Sequence, residues 1–414
     1  MQQNNKNNLY VFLTNTISRI SGGPIYVDNK RKYLEGKGWV VKVFDGDDLW
    51  GEDIMVDGLR KYKKNRLFEL QYPPSWYCAL QRNRVINKIV LMLPKHSFCV
   101  IESNQITMAE WGELIAAHIN AKHIFFNINE NTRVLDKQHY DFLCYKLQHN
   151  ELFTISASAI ETLFSKYCFI QDSEKHFWHA SVDTDIVDYP FAAIDNIPRA
   201  DYSIGYFGRY KSFLPYVFEQ IASFATFHRE KTVNLLLLGV DEISASEASL
   251  LRKANVNTII LGRKSPIPAS FFNNTDVVIA TAGCAIISYR YGAKVISMNV
   301  EDKLPLGFLG YTTDAISYAN HFITDKRSLF EMLESFYNKM EDFNHEIPNH
   351  YSVSHAEDDY KYQLSDLSIH SEYYDTAKIN AVNTKSQKIK SCIVKVGLAR
   401  FLFRATQMQN KSCH

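Results

Sequence analysis

Apolar residues along this chain fall into short continuous runs separated by stretches with helical spacing, the pattern of strands alternating with helices. Leu9 to Leu13 (LYVFL) predicts a buried first strand. Thr14 to Arg19 and then Ser21, Gly22, Gly23 and Pro24 lead into a helix over Ile25 to Gly36, Gly38 ends it, and Trp39 to Phe44 (WVVKVF) predicts a second strand. This is a β-loop-α-β unit whose glycine pair sits where the first strand delivers the chain to a helix, the usual ligand edge of a parallel sheet. Further predicted elements are helix Ser75 to Lys88, strand Ser97 to Glu102, helix Ala109 to Ile119 and strand His123 to Ile128. A helix around Tyr140 to Gln148, a strand at Phe153 to Ser156 and a helix at Ser158 to Tyr167 close the first unit. Residues 172 to 203 are polar, with Pro190 and Pro198, and read as a linker.

The second half alternates more regularly. Strand Ile204 to Gly208 precedes a helix over Ser212 to His228, with Phe213, Val217, Ile221, Phe224 and Phe227 at helical spacing. Then come strand Val233 to Val240, helix Ser244 to Ala254, strand Asn257 to Gly262, strand Asp276 to Thr281, helix Cys284 to Tyr291 and strand Lys294 to Met298. Strands this uniformly apolar belong to a parallel sheet covered on both faces. The expected class is α/β, two tandem Rossmann-like domains over 1–195 and 200–345, followed by a return segment and tail over 346–414. Asp302 to Thr313 (DKLPLGFLGYTT) reads as an apolar loop that either tucks against the sheet or covers a ligand, and Arg327 to Met340 as a closing helix.

At 414 residues the chain is too long for one core, and a net charge of +1 provides no global field to attract nucleic acid. The seven cysteines, Cys78, Cys99, Cys144, Cys168, Cys284, Cys392 and Cys413, lack metal-ligand spacing, so reduced thiols in a cytoplasmic protein and no zinc site are expected. No signal peptide is visible in MQQNNKNN and no run of 18 apolar residues occurs.

The chemistry concentrates at Ile204 to Lys211, IGYFGRYK. A strand runs into Gly208, Arg209 and Lys211 follow, and Ser212 opens a helix: glycine admits a close ligand, a helix start offers unpaired N–H groups, and two cations suit phosphate. The alternative is a pair of solvated side chains in an ordinary turn. Glu102, at the end of its strand, is a candidate base, sugar-hydroxyl acceptor or helix cap, with His96 a second candidate base. Asp45-Gly46-Asp47-Asp48 contains a D-x-D that reads mainly as a turn former, metal binding being the lesser alternative. After Asp375 the chain has no acidic residue but carries Lys378, Lys385, Lys388, Lys390, Lys395, Arg400, Arg404 and Lys411, interleaved with apolar residues. That tail suits an anionic membrane surface through 385–404, on the inner face of the plasma membrane, or a helix packed back on the body with its lysines solvated.

The run ISGGPIYVDNKRKYLEGKGWVVKVF, then YFGRYKS, LLLLGV, IILGR and DVVIATAGCAIISYRYGAKVIS, in that order, resembles the GT-B glycosyltransferases, nearest the "glycosyl transferases group 1" branch. The resemblance covers residues 9 to about 340. It implies a ligand cleft between the two domains and transfer of a sugar from a UDP- or GDP-linked donor to a glycan or lipid-linked acceptor, as in surface polysaccharide synthesis. It implies no metal and no cofactor beyond the donor. Gly22 and Gly23 match the first-domain loop near the donor's phosphates, and Arg209 and Lys211 the basic pair that neutralises the diphosphate leaving group. Gly208, Gly239, Arg263, Gly283, Cys284 and Ala285 fall at the donor-side edge, Arg263 after the strand that leads to the nucleobase. The paired glutamates of the retaining members are missing: no acidic residue lies between Asp276 and Glu301, and Ile287 stands near one of their places. Donor recognition would then fall on Asp302, Leu306 and Gly307, or the chain is a silent scaffold for an active partner. A sugar-nucleotide epimerase is the remaining reading on the same architecture.

Overall fold

The computed structural model describes residues 8–14, 22–46, 65–129, 132–168, 170, 172–178, 186–189, 191–264, 266–300, 302–315 and 327–344, and in the C-terminal part 360, 361, 363, 364, 372–379, 391, 392 and 394. They form two compact units, one built from the N-terminal part with the C-terminal residues 360–394, the other from residues 186–344. Asp47, Asp48 and most of 385–404 lie outside the described residues.

The first unit runs β1 (Asn8–Thr14), α1 (Gly22–Gly36), β2 (Val40–Asp45), β3 (Asn65–Arg66), α2 (Ala79–Met92), β4 (Phe98–Ser103), α3 (Ile106–Ile119), β5 (Lys122–Asn127), α4 (Lys137–Gln148), β6 (Leu152–Thr154) and α5 (Ala157–Phe164). All its strands are parallel, in the order β3-β2-β1-β4-β5-β6. The chain moves outward from β1 to β3 and returns to β4 on the other side of β1, so the ligand-accepting crevice of such a sheet opens beyond the ends of β1 and β4. α1 starts at Gly22, three residues before its expected start, so the glycine pair forms a first helical turn and not a loop. α2 starts later than expected, because Pro73 and Pro74 set up a 3-10 turn over Pro74–Trp76 that Tyr77 N–H closes on Pro74 O at 3.1 Å.

The second unit runs β7 (Ile186–Val187), α6 (Ala192–Asp195), β8 (Tyr202–Phe207), α7 (Leu214–Phe227), β9 (Val233–Leu238), α8 (Ala245–Lys253), β10 (Val256–Gly262), β11 (Ile267–Pro268), α9 (Ala269–Asn273), β12 (Val277–Ala280), α10 (Ala282–Arg290), β13 (Lys294–Met298), β14 (Pro305–Phe308) and α11 (Leu329–Tyr337). Its main sheet, β10-β9-β8-β12-β13-β14, repeats the strand order of the first with its reversal point between β8 and β12, and differs in its antiparallel edge strand β14. The apolar 302–313 stretch is not a cover over a ligand. Pro305–Phe308 pairs antiparallel with β13, and Pro305 to Gly310 are buried. Gly310 is small for a packing reason, since a Cβ there would lie 2.4 Å from the Tyr289 ring. Segments β7 and α6 also give structure to part of the expected linker.

The described part of the C-terminal segment packs on the first unit. Tyr374 and Ile379 are buried in its core, Glu113 accepts the Tyr374 backbone N–H at 2.7 Å, and Gln138 donates to Lys378 O at 2.9 Å. Ser391 donates to Trp76 O at 3.1 Å and Val394 is 1% exposed. Of the two readings of the tail, these residues follow the one that packs back.

Candidate anion-binding site

At the end of β8 the chain leaves the sheet through Gly208, and Tyr206 Oη donates to Arg209 O at 2.7 Å, which fixes the turn from beneath. Arg209 is exposed and Lys211 half-buried, just ahead of α7. Gly208 N–H donates to Leu238 O at 2.9 Å, and Gly239, at φ +93°, donates to Gly262 O at 2.8 Å. A Cβ on Gly239 would sit 2.7 Å from Gly208 O, so the exits of β8 and β9 approach more closely than any side chain allows. β12 lies on the other flank of β8, Ala280 opposite Phe207, and delivers the chain to α10. Ala282 opens that helix at φ +52°, a left-handed conformation that costs a non-glycine residue about 1–3 kcal/mol. Gly283, Cys284 and Ala285 complete its first turn, Ala285 fully buried. Burial pushes the Cys284 thiol up to about 11, while the charges of Lys211 and Arg209 pull it down. The two cations therefore act on the start of α10, where helix geometry leaves N–H groups unpaired. No acidic residue lies on α10. The arrangement can hold a polyanion.

The other donor-side candidates are differently placed. Arg263 is bound to Asp241, its Nε donating to Asp241 Oδ2 at 2.7 Å and its backbone N–H to Oδ1 at 3.3 Å. Asp302 is tied to Asn299, whose Nδ2 donates to it at 3.0 Å. Leu306 is 2% exposed, and Gly307 is enclosed by Thr312 and Thr313, so both serve the packing of β14 and are not open to a donor.

Glu102 is corrected most sharply. It is fully buried, bound by Lys30 Nζ at 2.7 Å, Tyr10 Oη at 2.6 Å, Tyr26 Oη at 3.1 Å and Asn104 Nδ2 at 3.0 Å. It faces no acceptor and caps no helix, since α3 begins after Gln105. Lys30 is enclosed by the rings of Tyr10, Tyr26, Trp178 and Tyr360, at 4.9 to 5.8 Å. Burial lowers the ammonium's pKa against the pull of Glu102. Sequence reasoning missed this pair. Its signal was present, because Tyr26, Lys30 and Leu34 share one face of α1 at i, i+4, i+8. His96 bonds the nearby Pro94 O through Nδ1 at 2.9 Å. Asp45 is buried at the end of β2, and among the described residues no cluster of three or more His, Cys, Asp or Glu could hold a metal.

A second buried network also went unread. Ser103 Oγ lies 3.1 Å from His123 Nε2, and His123 Nδ1 lies 2.8 Å from Glu113 Oε2. The line of hydroxyl, imidazole and carboxylate looks nucleophilic, but all three residues are buried, and a Cβ on Gly112 would lie 2.4 Å from His123 Nε2. Lys146 bridges Glu113 and Glu151, and Lys122 reaches Glu151 at 3.0 Å. This is a structural charge cluster.

Among solved structures, a glycosyltransferase from Rickettsia africae ESF-5 aligns with 94% of this chain and 99% of its own at a TM-score of 0.53 and 12% identity. The chain has the GT-B fold. A lipopolysaccharide outer core galactosyltransferase aligns over 93% of this GT-B chain and 99% of its own (TM-score 0.49, 14% identity). A sucrose-phosphate synthase from Thermosynechococcus elongatus aligns over 99% and 100% (TM-score 0.45, 13% identity). No family model and no curated protein matches the chain. Among the described residues of the GT-B chain, no helix is long and apolar enough to cross a membrane.

Proposed function

We propose that this chain transfers a sugar from a nucleotide-activated donor, UDP- or GDP-linked, to a glycan or lipid-linked acceptor in surface polysaccharide synthesis. The observation that carries the reading is the pairing, at the reversal point of the second sheet, of Arg209 and Lys211 with the first turn of α10. Departure of a nucleoside diphosphate develops negative charge, and preorganised cations with helix N–H groups stabilise it without reorganisation or a metal. In this reading Arg209 and Lys211 contact the diphosphate, and Gly208, Gly239 and Gly283 let it approach the backbone. A second reading, a catalytically silent subunit that binds the donor for an active partner, is favoured by the absence of any carboxylate on α10, where Ile287 is 7% exposed and packs inward.

The test is a thermal-shift panel of UDP, GDP, CDP and their sugar conjugates on the native chain and on Arg209→Ala/Lys211→Ala. One diphosphate raises the midpoint of the native chain by mass action and leaves the double variant unmoved. A panel without response overturns the donor reading. Binding without turnover by the isolated chain selects the silent subunit.

A further inference from the structure

We propose that Cys144 and Cys168 are a modification site, a thiol pair that closes into a reversible disulfide tying α4 to the chain just past α5. Cys144 lies on α4 one turn after Tyr140, so the two side chains share a helix face at i, i+4. The Tyr140 ring packs on Tyr167 at 4.6 Å and on Phe164 at 6.0 Å, and Cys168 N–H donates to Phe164 O at 3.2 Å. The two cysteines therefore reach the same tyrosine from different elements. Its hydroxyl is hydrogen-bonded to both thiols, so two hydrogen-bond lengths are the most that separates the sulfurs. Both thiols are free and half-buried against the core of the first unit. A bond between them would close a loop that holds α5 and β6, the edge strand of the first sheet.

Two lysines flank the stacked tyrosines. Lys137 Nζ lies 4.7 Å from the centre of the Tyr140 ring and Lys166 Nζ 5.1 Å from that of Tyr167, and cations nearby favour the thiolate, the reactive form of cysteine. Burial, Cys168 and Asp141 raise the Cys144 thiol, while the Tyr140 hydroxyl and Lys137 act the other way. With hydrogen peroxide as oxidant the step balances. One thiolate attacks the O–O bond, giving a sulfenic acid and a hydroxide that takes up the first thiol's proton. The second thiol then attacks that sulfur, the S–S bond forms, the S–O bond breaks and water leaves. Two thiols are oxidised by two electrons and the peroxide is reduced to two waters. The other described cysteines are differently placed. Burial holds the Cys99 thiol up at about 12. Cys78 and Cys392 are exposed, and the bond from Ser391 to Trp76 O draws their segments together, which makes them the rival pair. The proposal involves neither Arg209 nor Lys211 and stands or falls apart from the donor reading.

The test is oxidation of the full chain by hydrogen peroxide in small excess, read by thiol titration in denaturant and by peptide mapping without reductant. The native chain should lose two of its seven titratable thiols and two hydrogens in mass, and release a peptide joining Cys144 to Cys168 that dithiothreitol separates. Closing a loop of this length restrains the unfolded chain, so the oxidised protein should melt about 5 °C or more above the reduced one and return on reduction. Cys144→Ser and Cys168→Ser should each abolish the joined peptide and the melting shift. The map of the unaltered chain needs no substitution and stands even if a variant fails to fold. Retention of all the thiols, sulfinic acid at either cysteine in place of the bond, a bond mapped to Cys78 and Cys392, or a bond between two copies of the chain overturns the proposal.

Discussion

The two sheets share one strand order, yet they use charge at their reversal points in opposite ways. Beside β1 and β4, Lys30 and Glu102 neutralise each other inside a cage of tyrosine and tryptophan with no exposure. Beside β8 and β12, Arg209 is exposed and Lys211 half-exposed, α10 has no carboxylate, and on the other flank of β8 its exit at Gly208 packs against Gly239 at the exit of β9. Charges enclosed and paired hold a fold together, and cations at the surface beside a helix start suit an anionic ligand.

That contrast breaks most visibly if one partner of the enclosed pair is removed. Lys30→Met leaves Glu102 buried without its cation and should cost about 3–5 kcal/mol in urea unfolding, with Lys30→Met/Glu102→Leu recovering part of the loss. A single-variant cost below about 1 kcal/mol would show that the pair is not structural.

A middle-sized effect is expected with pH. Burial alone would raise the Glu113 carboxyl, but Lys146 and His123 outweigh it and hold it at about 2. Burial and then Lys146 lower the His123 imidazole to about 4 against the pull of Glu113. In both cases the unfolded chain binds the proton more readily, so the stabilisation is present above the ordinary values and lost as pH falls, from about 6.5 toward 4 for His123 and from about 4.5 toward 2 for Glu113. Unfolding free energy measured from pH 7 to pH 2 should decline through both windows, and Glu113→Gln should flatten the lower one. An unchanged slope in that variant would remove Glu113 from the account.

The smallest change in stability is expected where the ligand role is proposed. Arg209→Ala/Lys211→Ala should shift the unfolding free energy of the ligand-free chain by no more than about 0.5 kcal/mol. A loss of several kcal/mol would make these cations structural too, and the contrast between the two sheets would disappear.

Much of the architecture was legible because strands buried on both faces must be continuously apolar, and LYVFL, VNLLLL and DVVIA each mark one. The cationic turn at Gly208 to Lys211 was legible because a glycine and two basic residues at a strand-to-helix junction are local features. β14 was not, since an antiparallel edge strand with Gly307 inside it and Gly310 just past it has the local look of a loop and is fixed only by pairing with β13. Nor was the role of Glu102. At the end of a strand it could have faced a ligand, and only the packing of α1 brings Lys30 across 72 residues of sequence to meet it.

The sequence by itself determined the alternation of strands and helices, the two-unit scale of the chain and the place of its cations, because hydrophobic period and turn chemistry act between near neighbours. Tertiary structure alone decided which charges are enclosed and which are open. Burial and ion pairing depend on groups that meet only once the chain has folded.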